Sequence, residues 1–174
     1  MKSDNMRFYS AMLMAGCGLH AAAQTQRPNI VFIITDDHSF QTISAYGSEV
    51  SKLAPTPNID RLANEGARFD DAFVENSLST PARACLLTGL YSHQNGQRTL
   101  GKGIDSTKTF VSELLQDAGY QTGVVGKWHM QCRPKGFDFF RIFEGQGDYY
   151  NPLVLSHDSN GKYEREQGYA TDIV

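Results

Sequence analysis

The run Asn29-Ile30-Val31-Phe32-Ile33-Ile34-Thr35 restricts the fold of this 174-residue chain more than any other segment. It is rich in β-branched residues, and its apolar stretch is unbroken from Ile30 to Ile34. A half-buried strand would alternate apolar and polar positions. A continuous run instead predicts a strand buried on both faces, as in a parallel sheet. Helical signals follow it. Thr56-Pro57-Asn58 marks a start, Ile59, Leu62 and Ala63 share one helical face, and Gly66 is a natural stop. Phe69 to Val74 is a candidate second strand, and Pro81 to Thr88 reads as a helix closed by Gly89. Phe110 to Ala118 reads as a third helix, with Phe110, Val111, Leu114 and Leu115 inward and Gly119 as its stop. Gln121 to Val125 is the next strand. Strands alternating with helices predict an α/β fold, with a mostly parallel sheet sandwiched by helices. No internal repeat or low-complexity segment interrupts this order.

The first residues read as an address. Lys2 and Arg7 give a positive start, and Phe8 to Leu19 is apolar but too short to span a bilayer. Ala21-Ala22-Ala23 then offers a small-residue cleavage site, so residues 1–23 are expected to be a secretory signal peptide. Met14-Ala15-Gly16-Cys17 also resembles a bacterial lipoprotein box, with Cys17 as the lipidated residue. Either way the mature chain is exported, as a periplasmic protein or as a surface lipoprotein. No later run is long and apolar enough to predict a transmembrane segment.

The composition is that of an ordinary globular domain: 40% hydrophobic, 20% charged, formal net charge -3. No basic patch or stripe points to a nucleic-acid partner. Outside the leader, Cys85 and Cys132 remain. Cys85 falls on the inward side of its helix and is expected as a free core thiol. A disulfide with Cys132 is the alternative.

Three local groups carry chemistry. Asp36-Asp37 ends the first apolar strand. Ser77-Leu78-Ser79-Thr80-Pro81-Ala82-Arg83 places a hydroxyl nucleophile and an arginine at a helix start. Gly126-Lys127-Trp128-His129 ends another strand. In open α/β sheets, ligands bind beyond the carboxyl ends of the strands. A helix N-terminus adds unpaired N–H groups that suit an anion. An acid pair, a nucleophile with an arginine, and a Lys/His pair are the parts of a metal-assisted hydrolase of anionic esters. One residue separates Lys127 from His129, so on a continuing extended strand both would point to one face with Trp128 on the other.

Taken together these segments resemble the type I, formylglycine-dependent sulfatases of the alkaline phosphatase superfamily. Leu78 to Gly89 matches the family's first signature: small nucleophile-x-Pro-x-Arg, then an apolar pair and Thr-Gly. Gly119-Tyr120-Gln121-Thr122-Gly123-Val124-Val125-Gly126-Lys127-Trp128-His129 matches the second. Arg27-Pro28-Asn29 through Asp36-Asp37 matches the opening metal strand, and Thr56 to Ala63 the helix after it. The resemblance implies an alkaline phosphatase-like fold, of which residues 24–174 would be the N-terminal portion of a longer catalytic domain. The remaining metal ligands and the leaving-group acid would come from later segments. An isolated fragment is expected to be inactive and to bind calcium poorly.

The resemblance also implies roles. Asp36, Asp37 and the modified Ser79 would ligate a calcium ion, whose preference is for oxygen ligands. Ser79 would become formylglycine, an aldehyde that hydrates to a gem-diol, through a serine-type radical maturase acting before export. Arg83 would hold the diol. Lys127 would bind a sulfate oxygen. His129 would act as base when the sulfated diol collapses, and His38 would touch substrate or merely cap its loop. A plain serine could accept a sulfuryl group but has no second hydroxyl to expel it. Gln41 to Gly47, Lys135 to Phe140 and Glu144 to Pro152 resemble bacterial glucosamine-6-sulfatases. The implied substrate is therefore a sulfated carbohydrate, the 6-O-sulfate of glucosamine in heparan-type glycans. Two other readings stay open: a phosphatase or phosphodiesterase of the same superfamily using unmodified Ser79, and an inactive truncated product. Outside these motifs, Trp128 is expected to pack, His93 to lie in a loop and His157 on the surface. Tyr149 and Tyr150 are candidates for a sugar-facing wall.

Overall fold

The computed structural model describes residues 27–174. The leader, with Cys17 and the alanine triplet, lies outside them. The chain divides into two units, at His38 and Ser39.

In the first unit, residues 27–38 form neither helix nor strand. The strand expected over Asn29–Thr35 is therefore not formed. Its side chains are exposed, Val31 at 81% and Phe32 at 70%. Local composition sets a preference for extended backbone, but a strand exists only through the ladder it shares with a neighbour. Among the described residues no strand pairs with this run.

The second unit, residues 39–174, opens with three single 3₁₀ turns and then helix α1, Pro57–Glu65. Pro57 stands in the first helical turn, where its missing N–H costs no bond. Asp60 reaches back to the preceding loop and accepts from Ser44 Oγ at 2.6 Å and from Ala45 N at 2.8 Å. Leu62, on the apolar face expected to include Ile59 and Ala63, is exposed, and α1 buries no residue.

Helix α2, Ser79–Thr88, starts two residues before the expected Pro81. The proline thus sits in the first turn, which tolerates it. Gly89 closes the helix at φ 66°, its N–H bonded to the Cys85 carbonyl at 2.8 Å. The single turn α3, Ser92–Asn95, follows and carries His93. Helix α4, Val111–Asp117, is capped by Glu113, whose Oε2 accepts from the Phe110 backbone N–H at 2.9 Å. Phe110 is completely buried, as expected, but Val111 and Leu114 are exposed. The buried polar face of α4 is Ser112, whose hydroxyl donates to the Lys135 carbonyl at 2.8 Å.

Strands β1 (Gly123–Lys127), β2 (Phe139–Phe143), β3 (Leu153–Ser156) and β4 (Glu164–Arg165) form one sheet in sequence order. β1 and β2 are parallel, with Val125 opposite Arg141; the β2–β3 and β3–β4 pairings are antiparallel. The α/β class holds, and within the described residues the sheet is mixed. Phe69–Val74 is no strand; Phe69, Phe73 and Val74 are exposed. A short helix, α5 (Ala170–Ile173), ends the described chain. Ala84, Ile104, Phe110, Trp128, Met130, Phe140, Ile142 and Leu155 pack into the main core. Trp128 and Met130 therefore anchor the segment that leaves β1. Among the described residues no helix is long and apolar enough to cross a membrane.

Asp138 holds the starts of β1 and β2 in register. Its carboxylate accepts from the Thr122 N–H and from Gln116 Nε2, both at 2.8 Å. The Thr122 N–H is the main cause that holds this carboxyl below its ordinary 3.8. Stability from this lowered value is fully present above the unfolded carboxylate range and is lost as pH falls through the lower folded value. Urea titrations at pH 7 and pH 3 should therefore show a smaller acid loss for Asp138→Asn than for wild type. Equal losses in the two proteins would exclude the linkage.

Candidate active site

Helix α2 and strand β1 meet through the residues that the sequence singled out. Ser79 is the first residue of α2 and is half-buried. Its Oγ lies 3.1 Å from His129 Nδ1 and accepts from Arg83 Nε at 3.2 Å. Arg83 stands one helical turn after Ser79, so its guanidinium folds back over the helix start. Its Nη1 donates to the Lys127 carbonyl at 2.6 Å. A planar fork serves both bonds at once. Ser79, Arg83, Lys127 and His129 are thus brought together across a separation of up to 50 residues.

The proton inventory of this cluster is directional. Arg83 can only donate, so it occupies a lone pair of Ser79 Oγ. The serine O–H then remains free to donate to His129 whenever Nδ1 carries no proton, leaving the imidazole as acceptor. Ser79 also lies at the N-terminus of a ten-residue helix, whose partial positive charge favours negative charge on its oxygen.

The extended geometry expected through His129 does not continue. β1 ends at Lys127, and His129 has φ 53°, in the left-handed region. Lys127 and His129 therefore do not share one pleat. Trp128 still packs inward as expected: it is buried, and its Nε1 donates to the Cys132 carbonyl at 2.6 Å. Two residues without an assigned role from the sequence also touch the cluster. Lys127 Nζ donates to Gln146 Oε1, from the Gly145-Gln146-Gly147 turn. Thr80 Oγ1 donates to the His129 carbonyl at 3.0 Å. Neither contact leaves a local signature, because each partner is distant in sequence. Beside His129 opens a cavity of about 420 Å³ whose lining includes Gln131, Arg133 and Tyr163.

The cysteines stay outside the chemistry. Cys85 is buried, and both thiols are free. Burial pushes the Cys132 thiol above its ordinary value, which makes it a poor nucleophile. Among the remaining candidates, Tyr149, Tyr150 and His157 are exposed, and His93 stacks on Tyr91 with ring centroids 5.8 Å apart.

Asp36, Asp37 and His38 belong to the first unit. Asp36 and Asp37 are exposed neighbours, with Asp37 at φ 53°. Adjacent carboxylates are hard oxygen donors and fit calcium in kind. They fit only in part by number, since calcium takes roughly six to eight oxygens. Among the described residues no group of three or more His, Cys, Asp and Glu side chains stands together to hold a metal.

Comparison with known proteins places this chain in a family. The sulfatase family model matches residues 28–172, and the chain belongs to the sulfatase family. It is 46% identical over 168 residues to an N-acetylglucosamine-6-O-sulfatase of Bacteroides thetaiotaomicron, covering 95% of this chain and 29% of that protein. It is 38% identical over 138 residues to human arylsulfatase G, covering 76% of this chain and 25% of the relative. Among solved structures, BT4656 in complex with its substrate D-glucosamine-2-N,6-O-disulfate matches with TM-score 0.79 and 48% identity over 85% of this chain and 29% of that one. Ps i-CgsB matches with TM-score 0.74 and 32% identity, over 85% and 39%. The fold is that of the sulfatases, alkaline phosphatase-like, and the chain spans 29% of the Bacteroides relative and of the BT4656 structure and 25% of arylsulfatase G.

Arg83→Lys should uncouple helix from strand, because one ammonium cannot reproduce the two-armed contact. Loss of a charged hydrogen bond predicts a destabilisation of about 1.5–3 kcal/mol, read from the urea unfolding midpoint. An unchanged midpoint would show that the Arg83–Lys127 bond contributes nothing.

Proposed function

We propose that this chain carries the nucleophile side of the active site of a sulfuric ester hydrolase acting on sulfated carbohydrate, specifically the 6-O-sulfate of glucosamine in heparan-type glycans. The observation that carries the reading is Ser79 Oγ held between Arg83 Nε and His129 Nδ1 at the start of α2. The substrate class is supported by the similarity to the N-acetylglucosamine-6-O-sulfatase and to the glucosamine disulfate complex.

In this reading a serine-type radical maturase oxidises Ser79 to formylglycine before export, and water adds to give a gem-diol. One diol oxygen gives up its proton and attacks sulfur as the S–O bond to the sugar breaks, and the sugar leaves as an alcohol, its oxygen protonated by the acid expected from a later segment. Arg83, already bonded to the Ser79 oxygen, offsets negative charge there, and Lys127 binds a sulfate oxygen. His129 then takes the proton of the second hydroxyl, the carbonyl re-forms, and sulfate departs with the C–O bonding pair. His38 contacts substrate. Asp36, Asp37 and the modified Ser79 would hold calcium, which would neutralise charge on the sulfate oxygens. The protein is exported, either periplasmic after cleavage near Ala23 or surface-anchored through Cys17.

Mass spectrometry of the Ser79 peptide, with an assay on 6-O-sulfated N-acetylglucosamine, tests this reading in the full-length protein. The unhydrated peptide should be roughly 2 Da lighter, two hydrogens having been removed. Sulfatase activity should vanish in Ser79→Ala. Phosphate ester hydrolysis by unmodified serine would replace the proposal with a phosphatase. Chelation should lower both activity and melting temperature, since a ligand that binds the native state stabilises it. Full metal content and activity in Asp37→Asn would remove Asp37 from the ligand set.

A further inference from the structure

We propose that Thr80 is a positioning residue that holds the His129 imidazole against the Ser79 oxygen. Adjacent residues of one helical turn grip a single residue in two places: Ser79 Oγ meets the ring at Nδ1, and Thr80 Oγ1 bonds the main-chain carbonyl at 3.0 Å. Two points fix both where His129 lies and how its ring is turned; one would leave the ring free to swing about the other.

The behaviour of the two helix-end threonines supports a dedicated role. Within a helix a threonine hydroxyl commonly bonds the carbonyl four residues earlier. Thr88 does this, donating to Ala84 O at 2.6 Å. Thr80 stands in the first turn, and its hydroxyl crosses to a segment 49 residues away. Thr80 is 0% exposed, so no solvent exchange competes for that bond.

His129 needs such a hold. Its left-handed backbone at φ 53° is disfavoured for a residue with a side chain, and Gln131 repeats it at φ 54°. Between them Met130 is fully buried, and its carbonyl accepts from the Ile104 N–H at 3.4 Å. Met130 thus anchors the loop from behind. Thr80 sets the orientation of the residue in front, on the side where chemistry occurs.

Thr80→Val removes the donor and keeps the shape, while Thr80→Ser keeps the donor. Thr80→Ala replaces the valine if the second methyl is not accommodated. The first readout is the ¹⁵N and ring-proton resonances of His129 in this chain with Ser79 unmodified, independent of activity. Valine should shift them away from wild type, with the other described histidines unmoved, and serine should restore them. The second readout rests on the sulfatase reading and uses the matured full-length enzyme. Valine should lower kcat about tenfold to a hundredfold with KM within about twofold, and serine should recover most of the loss. Wild-type His129 resonances in the valine variant would overturn the proposal, as would a loss that serine fails to rescue. A wild-type enzyme without sulfatase activity would remove the sulfatase reading alone, since the resonance test stands without it.

Discussion

A short hydrogen-bonded seam joins the N-terminus of α2 to the carboxyl end of β1. Arg83 bonds the Lys127 carbonyl, Thr80 bonds the His129 carbonyl, and Ser79 meets the His129 ring. The seam matters because each side alone is incomplete. The helix supplies an oxygen and a fixed positive charge, while the strand end supplies a basic nitrogen and an ammonium. Two of the three bonds go to main-chain carbonyls at the last residue of β1 and two residues beyond it. The backbone at the end of β1 is thereby part of what docks the helix.

The core reinforces that seam from behind. Trp128 and Met130 alternate with Lys127, His129 and Gln131 along the chain, and both pack among Phe110, Phe140, Ile142 and Leu155. Lys127 and His129, which meet the helix, are thus interleaved with residues anchored in the hydrophobic interior. A displacement of the anchors would be felt at once by the reactive side chains, since packed interiors transmit strain.

Much of this was legible in the residues. Gly89 and Gly119 marked helix ends because positive φ suits glycine, and both have it, at 66° and 81°. Ser79, Arg83, Lys127 and His129 were legible as one set because strand ends and a helix start meet at one rim. What was not legible is non-local. Asn29–Thr35 reads as a strand from side-chain pattern, yet pairing partners decide whether a strand forms. The inward stripe assigned to α4 holds for Phe110 and fails for Val111 and Leu114, because helical period defines a face without saying what covers it. The hydroxyl of Thr80 has its partner 49 positions away, a separation that no local pattern encodes. The left-handed turn at His129 follows from tertiary contacts on either side of it, against the residue's own preference.

The burial around Ser79 bears on when its side chain can be altered. Thr80 and Pro81 are fully buried, and Ser79 itself is engaged from two directions once α2 has docked. An enzyme that modified Ser79 as proposed would need to reach its side chain and the residues beside it. Folding removes the flank after Ser79 from solvent, while Leu78 before it stays exposed. If Ser79 is oxidised as proposed, that step would compete with docking of the helix and would have to come first. A chain that folds too early would be locked with an ordinary serine at its centre. Slow acquisition of structure in this segment would then favour a functional product, and mutations that speed it would increase the unmodified fraction.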